Sequence, residues 1–382
     1  MKKKIAIIHQ QAYGLERIGG AEMVCLWALE ALKKEYDVTL IVPYVGVFMQ
    51  KSEALNAQYG TTFVDGEFSI KTFPRHTLLQ KILTRIWAFR TYYFIRKVRQ
   101  DAKNYDLMFS TFNEMDFGKP GLQYIHYPMI AQVQRKTVGD TIKYAYRNLM
   151  PIIFGYSKER MLSNKTLTCS EWTSKDIKSI YGITATVLYP PVLLPSVQSN
   201  SVRRKNVFVF VGRISPEKRI EDIIAIGDML RNQGIPFELY IVGPAYRKEY
   251  ADYIFALAKE RAWVHVEGLA NRKKLAELLS LSTYGINCTK DEQFGISLVE
   301  MIYAGCLPFV YNGGGQLEVV NNNEHLYFSS TEEAAQKIAR VYNDDLLKEK
   351  LLTDIYIHAQ QFSKEAYIKN VQTIVKNELT KS

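Results

Sequence analysis

The chain has 382 residues, 47% hydrophobic and 23% charged, which predicts two globular domains and excludes a disordered or fibrous chain. Its net charge of +10 sits wholly in residues 1–190, with 26 Lys and Arg against 16 Asp and Glu, while residues 191–382 hold 23 of each; the first half is therefore expected to meet something anionic, namely a membrane surface, a phosphorylated lipid or nucleic acid. No apolar run reaches the roughly 18 residues of a membrane span or the pattern of a signal peptide, and Cys25, Cys169, Cys288 and Cys306 are too scattered for a disulfide framework or a zinc site, so a reducing cytoplasm is the expected compartment.

Taken in chain order, residues 4–8 read as a short apolar strand, followed by a polar loop with Gly14, Gly19 and Gly20. Residues 21–34 carry helical periodicity and 38–42 a second strand, together a right-handed parallel unit of the doubly wound kind. Further strands are expected at 107–110, 121–126 and 165–169. The prolines and the Ser/Asn-rich stretch of 190–206 mark the domain boundary. The pattern then repeats: strand 207–211, loop 212–219, helix 220–233, strands 237–242, 263–267 and 283–287, helix 295–304, and strand 307–311 before the turn Gly313-Gly314-Gly315. A helical segment over about 331–379 closes the chain. Ligands in such sheets bind beyond the carboxyl ends of the strands.

Two motifs carry chemistry. In EQFGISLVE, residues 292–300, Glu292 stands before a helix that starts near Gly295, and Glu300 lies more than a turn inside it. The helix N-terminus offers unpaired N–H groups to a phosphate, with glycine permitting close approach, and the two acids can grip hydroxyls on either side. In GRISPEK, residues 212–218, Arg213 and Lys218 follow a strand and can neutralise a diphosphate without a metal. That combination suits a nucleotide-sugar. Taken singly, each acid would more often be a helix-surface residue, Arg213 an ion-pair partner and Lys218 a solvated side chain.

GR-x4-K after a strand, E-x7-E with FG between and AG-x2-P, with Gly19–Glu22 as GGAE near the N-terminus, resemble the retaining glycosyltransferases of family 4. QYIHYP at 123–128 and TVLYPPV at 186–192 resemble the mannosyltransferases that elongate lipid-linked oligosaccharide. The resemblance implies a GT-B fold: two Rossmann-like doubly wound domains facing a deep cleft, an acceptor domain 1–190, a donor domain 191–358, and a helix in 359–382 packing back on the first domain. It also implies donor binding by Gly20, Gly212, Arg213, Lys218, Glu292, Phe294, Gly295, Ile296 and Glu300. Within that set Arg213 and Lys218 stabilise the leaving diphosphate, Glu292 holds the donor sugar and Glu300 the ribose. His126 is expected near the transferred sugar, orienting a hydroxyl or holding the acceptor, and is counted with Arg213, Lys218 and Glu292 as catalytic. Two positions depart from the family pattern, Arg219 where many members have glycine and Gln293 where a second glycine often stands.

The expected reaction moves a sugar, mannose from GDP-mannose by the narrower resemblance, onto a lipid-linked or growing glycan, with no cofactor and no metal. UDP- and dTDP-sugars remain open as donors, as does a sucrose- or trehalose-type synthase. A non-catalytic polyanion binder is the reading from another class, but no nucleic-acid-binding motif is present. Residues 81–103 hold seven basic residues and one acid, Asp101, with Ile82, Ile86, Phe89, Tyr93 and Val98 able to share a helix face. This stretch is expected to lie on an anionic membrane as a peripheral anchor, the alternative being that its apolar face packs on the domain. Residues 144–157 are a second apolar candidate.

Overall fold

The computed structural model describes residues 2–10, 19–43, 52–73, 87–130, 148–193 and 203–381. The chain forms two compact units, Met1–Pro191 with Lys364–Ser382, and Val192–Ser363. Gly14, Ile82 and Ile86, with 144–147 of the second apolar candidate and 194–202 of the boundary stretch, lie outside the described residues.

The first unit holds a seven-stranded sheet of β1 (Lys4–Ile8), β2 (Asp37–Val42), β3 (Ser69–Thr72), β4 (Leu107–Ser110), β5 (Leu122–Ile125), β6 (Lys165–Thr168) and β7 (Thr186–Val187) in the order β3-β2-β1-β4-β5-β6-β7. The second holds β8 (Arg204–Val211), β9 (Glu238–Val242), β10 (Val264–Gly268), β11 (Ser282–Asn287), β12 (Leu307–Tyr311) and β13 (Tyr327–Phe328) in the order β10-β9-β8-β11-β12-β13. All the described strand pairs are parallel. Helices cover both faces of such a sheet, so its strands are continuous apolar runs: Ile5 to Ile8 are fully buried, as are Leu307, Phe309 and Val310. Strand order reverses between β1 and β4 and again between β8 and β11, which in this fold is where ligands bind.

The terminal helical segment is three helices, Thr331–Asn343, Asp345–Ala359 and Lys364–Lys381. The first break falls at Asp344, whose carboxylate caps the next helix by accepting from the Leu347 N–H. The return to the first unit comes at Lys364 and not at 359. The Tyr303 hydroxyl donates to the Ala359 carbonyl, and Phe362 meets the Phe294 ring edge-on, which ties 359–363 to the second unit. Helix Lys364–Lys381 packs on helix Gly20–Leu32, where the Tyr367 hydroxyl and the Gln372 amide donate to the carbonyls of Val24 and Ala31.

The basic aromatic stretch corrects one expectation. Helix Trp87–Asp101 buries Ala88, Tyr92, Phe94, Ile95 and Val98 in one cluster with Ile8, Met108, Met115 and Phe117. Each large apolar side chain so buried stabilises by about 1.5–3 kcal/mol, so these side chains are core and are not offered to a bilayer. The helical residues 148–153 behave differently: Leu149, Ile152 and Ile153 are exposed.

Candidate functional site

The second sheet's reversal point builds the site. The loop after β8 carries Gly212, Arg213 and Lys218, and it is laced to the loop after β9. Ile214 N–H donates to Pro244 O at 2.9 Å and Tyr246 N–H to Ile214 O at 3.1 Å. The approach is close enough that a Cβ on Gly243, at φ 148°, would sit 1.9 Å from the Gly212 carbonyl oxygen. Arg213 lies over the Tyr246 ring, 4.7 Å from its centroid, with Nη2 3.4 Å from Glu217 Oε1. Lys218 ends the short turn Pro216–Lys218.

The loop after β11, the neighbouring strand across the reversal, brings Glu292 to Lys218. Nζ and Oε2 are 2.5 Å apart, and both side chains are largely buried. A cavity of about 380 Å³ is lined by Arg213, Lys218 and Glu292 together with Arg219, Lys290 and Asp291. The Gly313–Gly315 turn braces this loop from behind. Gly315 N–H donates to Glu292 O at 2.7 Å. A Cβ on Gly314, at φ 76°, would fall 2.3 Å from that oxygen, and one on Gly313 2.5 Å from Lys290 O.

Gly295 caps helix Ile296–Tyr303 with φ 100°. Phe294 points into the core, only 3% exposed, so its backbone is the part left to meet a ligand. Glu300 is half-buried one turn further in. Burial pushes its carboxyl up, against a downward pull from Arg272. Of the expected donor residues, the structure thus brings Arg213, Lys218 and Glu292 into one cavity, places Gly212 in the β8 loop, and sets Phe294, Gly295, Ile296 and Glu300 along the adjoining turn and helix.

Arg219 and Lys290, which also line the cavity, were not among the expected donor residues. Arg219 stands where the chain turns left-handed, φ 50° and ψ 49°, a conformation that glycine adopts without strain. It pairs with Asp222 and lies 5.1 Å from the Tyr311 ring centroid, while Lys290 Nζ sits 5.6 Å from the same centroid. The signal was present in the departure from glycine at 219, but the partners come from β12 and the β11 loop and are invisible in local sequence.

Gly20 and His126 lie in the first unit. Gly20 opens helix Gly20–Leu32; the preceding Gly19 donates its N–H to Glu22 Oε2 at 3.0 Å, so the acid of GGAE closes its own helix start. His126 follows β5. Its Nε2 is 3.1 Å from the Thr111 carbonyl, which only accepts, so Nε2 carries the proton. Burial pushes the ring down to about 4; the imidazole is neutral near pH 7, with its lone pair on Nδ1. His9, at the end of β1, also escaped the sequence reading. Its Nδ1 lies 3.1 Å from Thr111 Oγ1, and burial, with His126 nearby, pushes it down to about 3.

Residues 196–367 match the family model of Glycosyl transferases group 1. That match spans most of the second unit. Across the chain, a Dictyostelium discoideum protein named GDP-Man:Man(3)GlcNAc(2)-PP-Dol alpha-1,2-mannosyltransferase is 24% identical over 85% of this sequence and 75% of its own. The human protein of that name is 24% identical over 85% and 77%, and the Candida glabrata one 28% over 52% and 45%. Among solved structures, Anabaena HepE in complex with UDP-glucose superposes with a TM-score of 0.68 at 15% identity over 98% of this chain and all of that one. The glycosyltransferase WaaG, involved in lipopolysaccharide biosynthesis, gives 0.65 at 14% over 97% and 99%. These neighbours are GT-B glycosyltransferases, and the two sheets here have that fold. Among the described residues no helix is long and apolar enough to cross a membrane.

Proposed function

We propose that this chain transfers mannose from GDP-mannose to a lipid-linked glycan, with retention of configuration and without a metal, at the cytosolic face of a membrane. The relatives' names supply donor and acceptor class. They also support retention, because mannose is α-linked in GDP-mannose and the products they name are alpha-1,2. The observation that carries the reading is the Lys218–Glu292 contact in the cavity shared with Arg213. Two cations and a carboxylate in one cavity support the reading, because a sugar diphosphate can use all three.

In this mechanism the glycosidic C–O bond to the diphosphate breaks as positive charge develops at the sugar and negative charge at the leaving oxygens. Arg213 and Lys218 stabilise that anion electrostatically, which is usually the largest single catalytic term. Before the donor arrives Glu292 holds Lys218; with donor bound, the ammonium turns to phosphate and the carboxylate to a sugar hydroxyl. Glu300 takes the ribose. His126, neutral and with Nδ1 as acceptor, orients a hydroxyl. The positive first half supports attachment to an anionic membrane surface.

The test is transfer from radiolabelled GDP-mannose to a polyprenyl-diphosphate oligosaccharide in the presence of EDTA. A labelled lipid product sensitive to α-mannosidase is expected. Transfer only from UDP- or dTDP-sugars, a β-linked product, or a requirement for divalent cation would each overturn the corresponding part.

A further inference from the structure

The first unit contains a second cavity, of about 580 Å³, that the transfer reaction does not use. Its walls come from the end of helix Trp87–Asp101 (Arg99), from Lys103 just before β4, from Gly118 and Lys119 just before β5, and from Gly155 and Arg160 before β6. It therefore opens at the N-terminal edge of the sheet, opposite the carboxyl edge where His9, Thr111 and His126 stand.

The cavity is built with care for cations. Asp116 is enclosed, with no exposed side chain, and accepts from Arg99 at 2.8 Å and from both Nε and Nη2 of Arg160 at 2.9 and 2.7 Å. The two guanidiniums also converge on the Gly155 carbonyl, each at 2.6 Å. Gly118, at φ 79°, leaves the space for Arg99: a Cβ there would lie 2.7 Å from Arg99 Cγ. Lys119 is anchored through the Tyr105 carbonyl, and Lys103 is exposed. Arg99 and Arg160 thus share one enclosed carboxylate, and Lys103 and Lys119 line the same cavity. Of the nearby acids, Asp101 pairs with Lys71, and Asp106 pairs with Lys3 while also facing Lys119.

Beside this cationic pocket lies an unusual surface. Ile152 is 77% exposed, Ile153 51% and Leu149 50%. The N–H of Gly155, a residue of the cavity wall, donates to Ile152 O at 3.0 Å, so the turn that carries the isoleucines runs directly into that wall. Contiguous exposed aliphatic side chains on a monomer mark a contact surface. Aliphatic residues beside a concentration of positive charge match the chemistry of an anionic bilayer, where side chains enter the acyl boundary and cations meet phosphate.

We infer that this edge of the first unit docks on anionic phospholipid, with a headgroup phosphate in the Arg99–Lys103–Lys119–Arg160 cavity and Leu149, Ile152 and Ile153 in the acyl boundary. The inference rests on the reading that the acceptor is membrane-borne, and it names the surface that faces the membrane.

Co-sedimentation of the full chain with vesicles tests it, with no donor or acceptor present, so that the outcome is independent of transferase activity. Phosphatidylcholine vesicles containing phosphatidylglycerol should bind the protein and pure phosphatidylcholine should not. Lys103→Glu should weaken binding about tenfold, and the pair Ile152→Ser with Ile153→Ser should weaken it at least as much. Both variants alter exposed side chains and should keep the wild-type melting shift with GDP, which separates loss of docking from loss of fold. Lys259→Glu, on the second unit, should bind vesicles as wild type does. Equal binding by the Lys103 and isoleucine variants, or equal binding to neutral vesicles, overturns the proposal. So does a melting shift with glycerol phosphate in a protein that ignores anionic vesicles, which would make the cavity a site for a soluble anion.

Discussion

Lys218 Nζ lies 2.5 Å from Glu292 Oε2 although the two residues are 74 positions apart in the chain. The contact exists because β8 and β11 are neighbours, and each delivers its following loop to the same sheet edge. Removing the ammonium should cost the transition state about 3–4 kcal/mol. Lys218→Ala is therefore expected to lower kcat by a hundredfold or more, with a smaller change in KM. Steady-state kinetics with GDP-mannose check this, and an unchanged kcat would remove Lys218 from the chemistry.

The strain at Arg219 gives a second prediction. A non-glycine residue in the left-handed region costs about 1 kcal/mol or more. Arg219→Gly relieves that cost while losing the Asp222 and Tyr311 contacts; Arg219→Ala loses the contacts and keeps the cost. The glycine variant should be the more stable of the two by about 1 kcal/mol in urea unfolding, the reverse of the order expected inside a helix.

Gly314 tests the brace behind the site. Gly314→Ala places a methyl 2.3 Å from the Glu292 carbonyl at a positive φ, so the 290–292 segment must move. Activity should fall at least tenfold with the far-UV circular dichroism unchanged, since a misplacement of about 1 Å costs this much or more. Wild-type kinetics would mean that this loop does not position Glu292.

Buried titratable groups in the first unit predict opposing pH effects. His9 and His126 have folded values of about 3 and 4, below the ordinary 6.5. The unfolded chain binds their protons first, so their contribution is intact above pH 6.5 and lost as pH falls toward 4. Glu114 is pushed up to about 7 by burial, with Tyr181 donating to it at 2.5 Å. Here the folded state holds the proton more tightly, so its contribution is present below about 4.5 and lost as pH rises through 7. Relative to wild type, Glu114→Gln should gain stability between pH 5 and 7.5, whereas His126→Asn should lose less stability on acidification from 6.5 to 4. Thermal melts across that range check both signs.

The stretch expected at a membrane shows where sequence reading stops. Phe89 and Tyr93 fall on one helix face by their spacing, and that spacing is the same whether the stripe meets a core or a bilayer. Only packing decides, and it closes this stripe against β1 and β4. Leu149, Ile152 and Ile153, from the second apolar candidate, stand in solvent instead. The short edge strands β3, β7 and β13 also escaped notice, because two to four residues carry too little periodicity to register.

The order of apolar runs, glycine loops and charged motifs was enough to specify two parallel α/β sheets and to single out Arg213, Lys218, Glu292 and Glu300, because strand and helix periodicity and loop chemistry are local properties. Which loops share a cavity was settled only by strand order, since adjacency of β8 to β11 is a long-range pairing that no local spacing encodes. Tertiary structure likewise decided the left-handed turn at Arg219, the neutral state of His126 and the exposure of Ile152 and Ile153, because strain, desolvation and burial depend on neighbours that are distant in the chain.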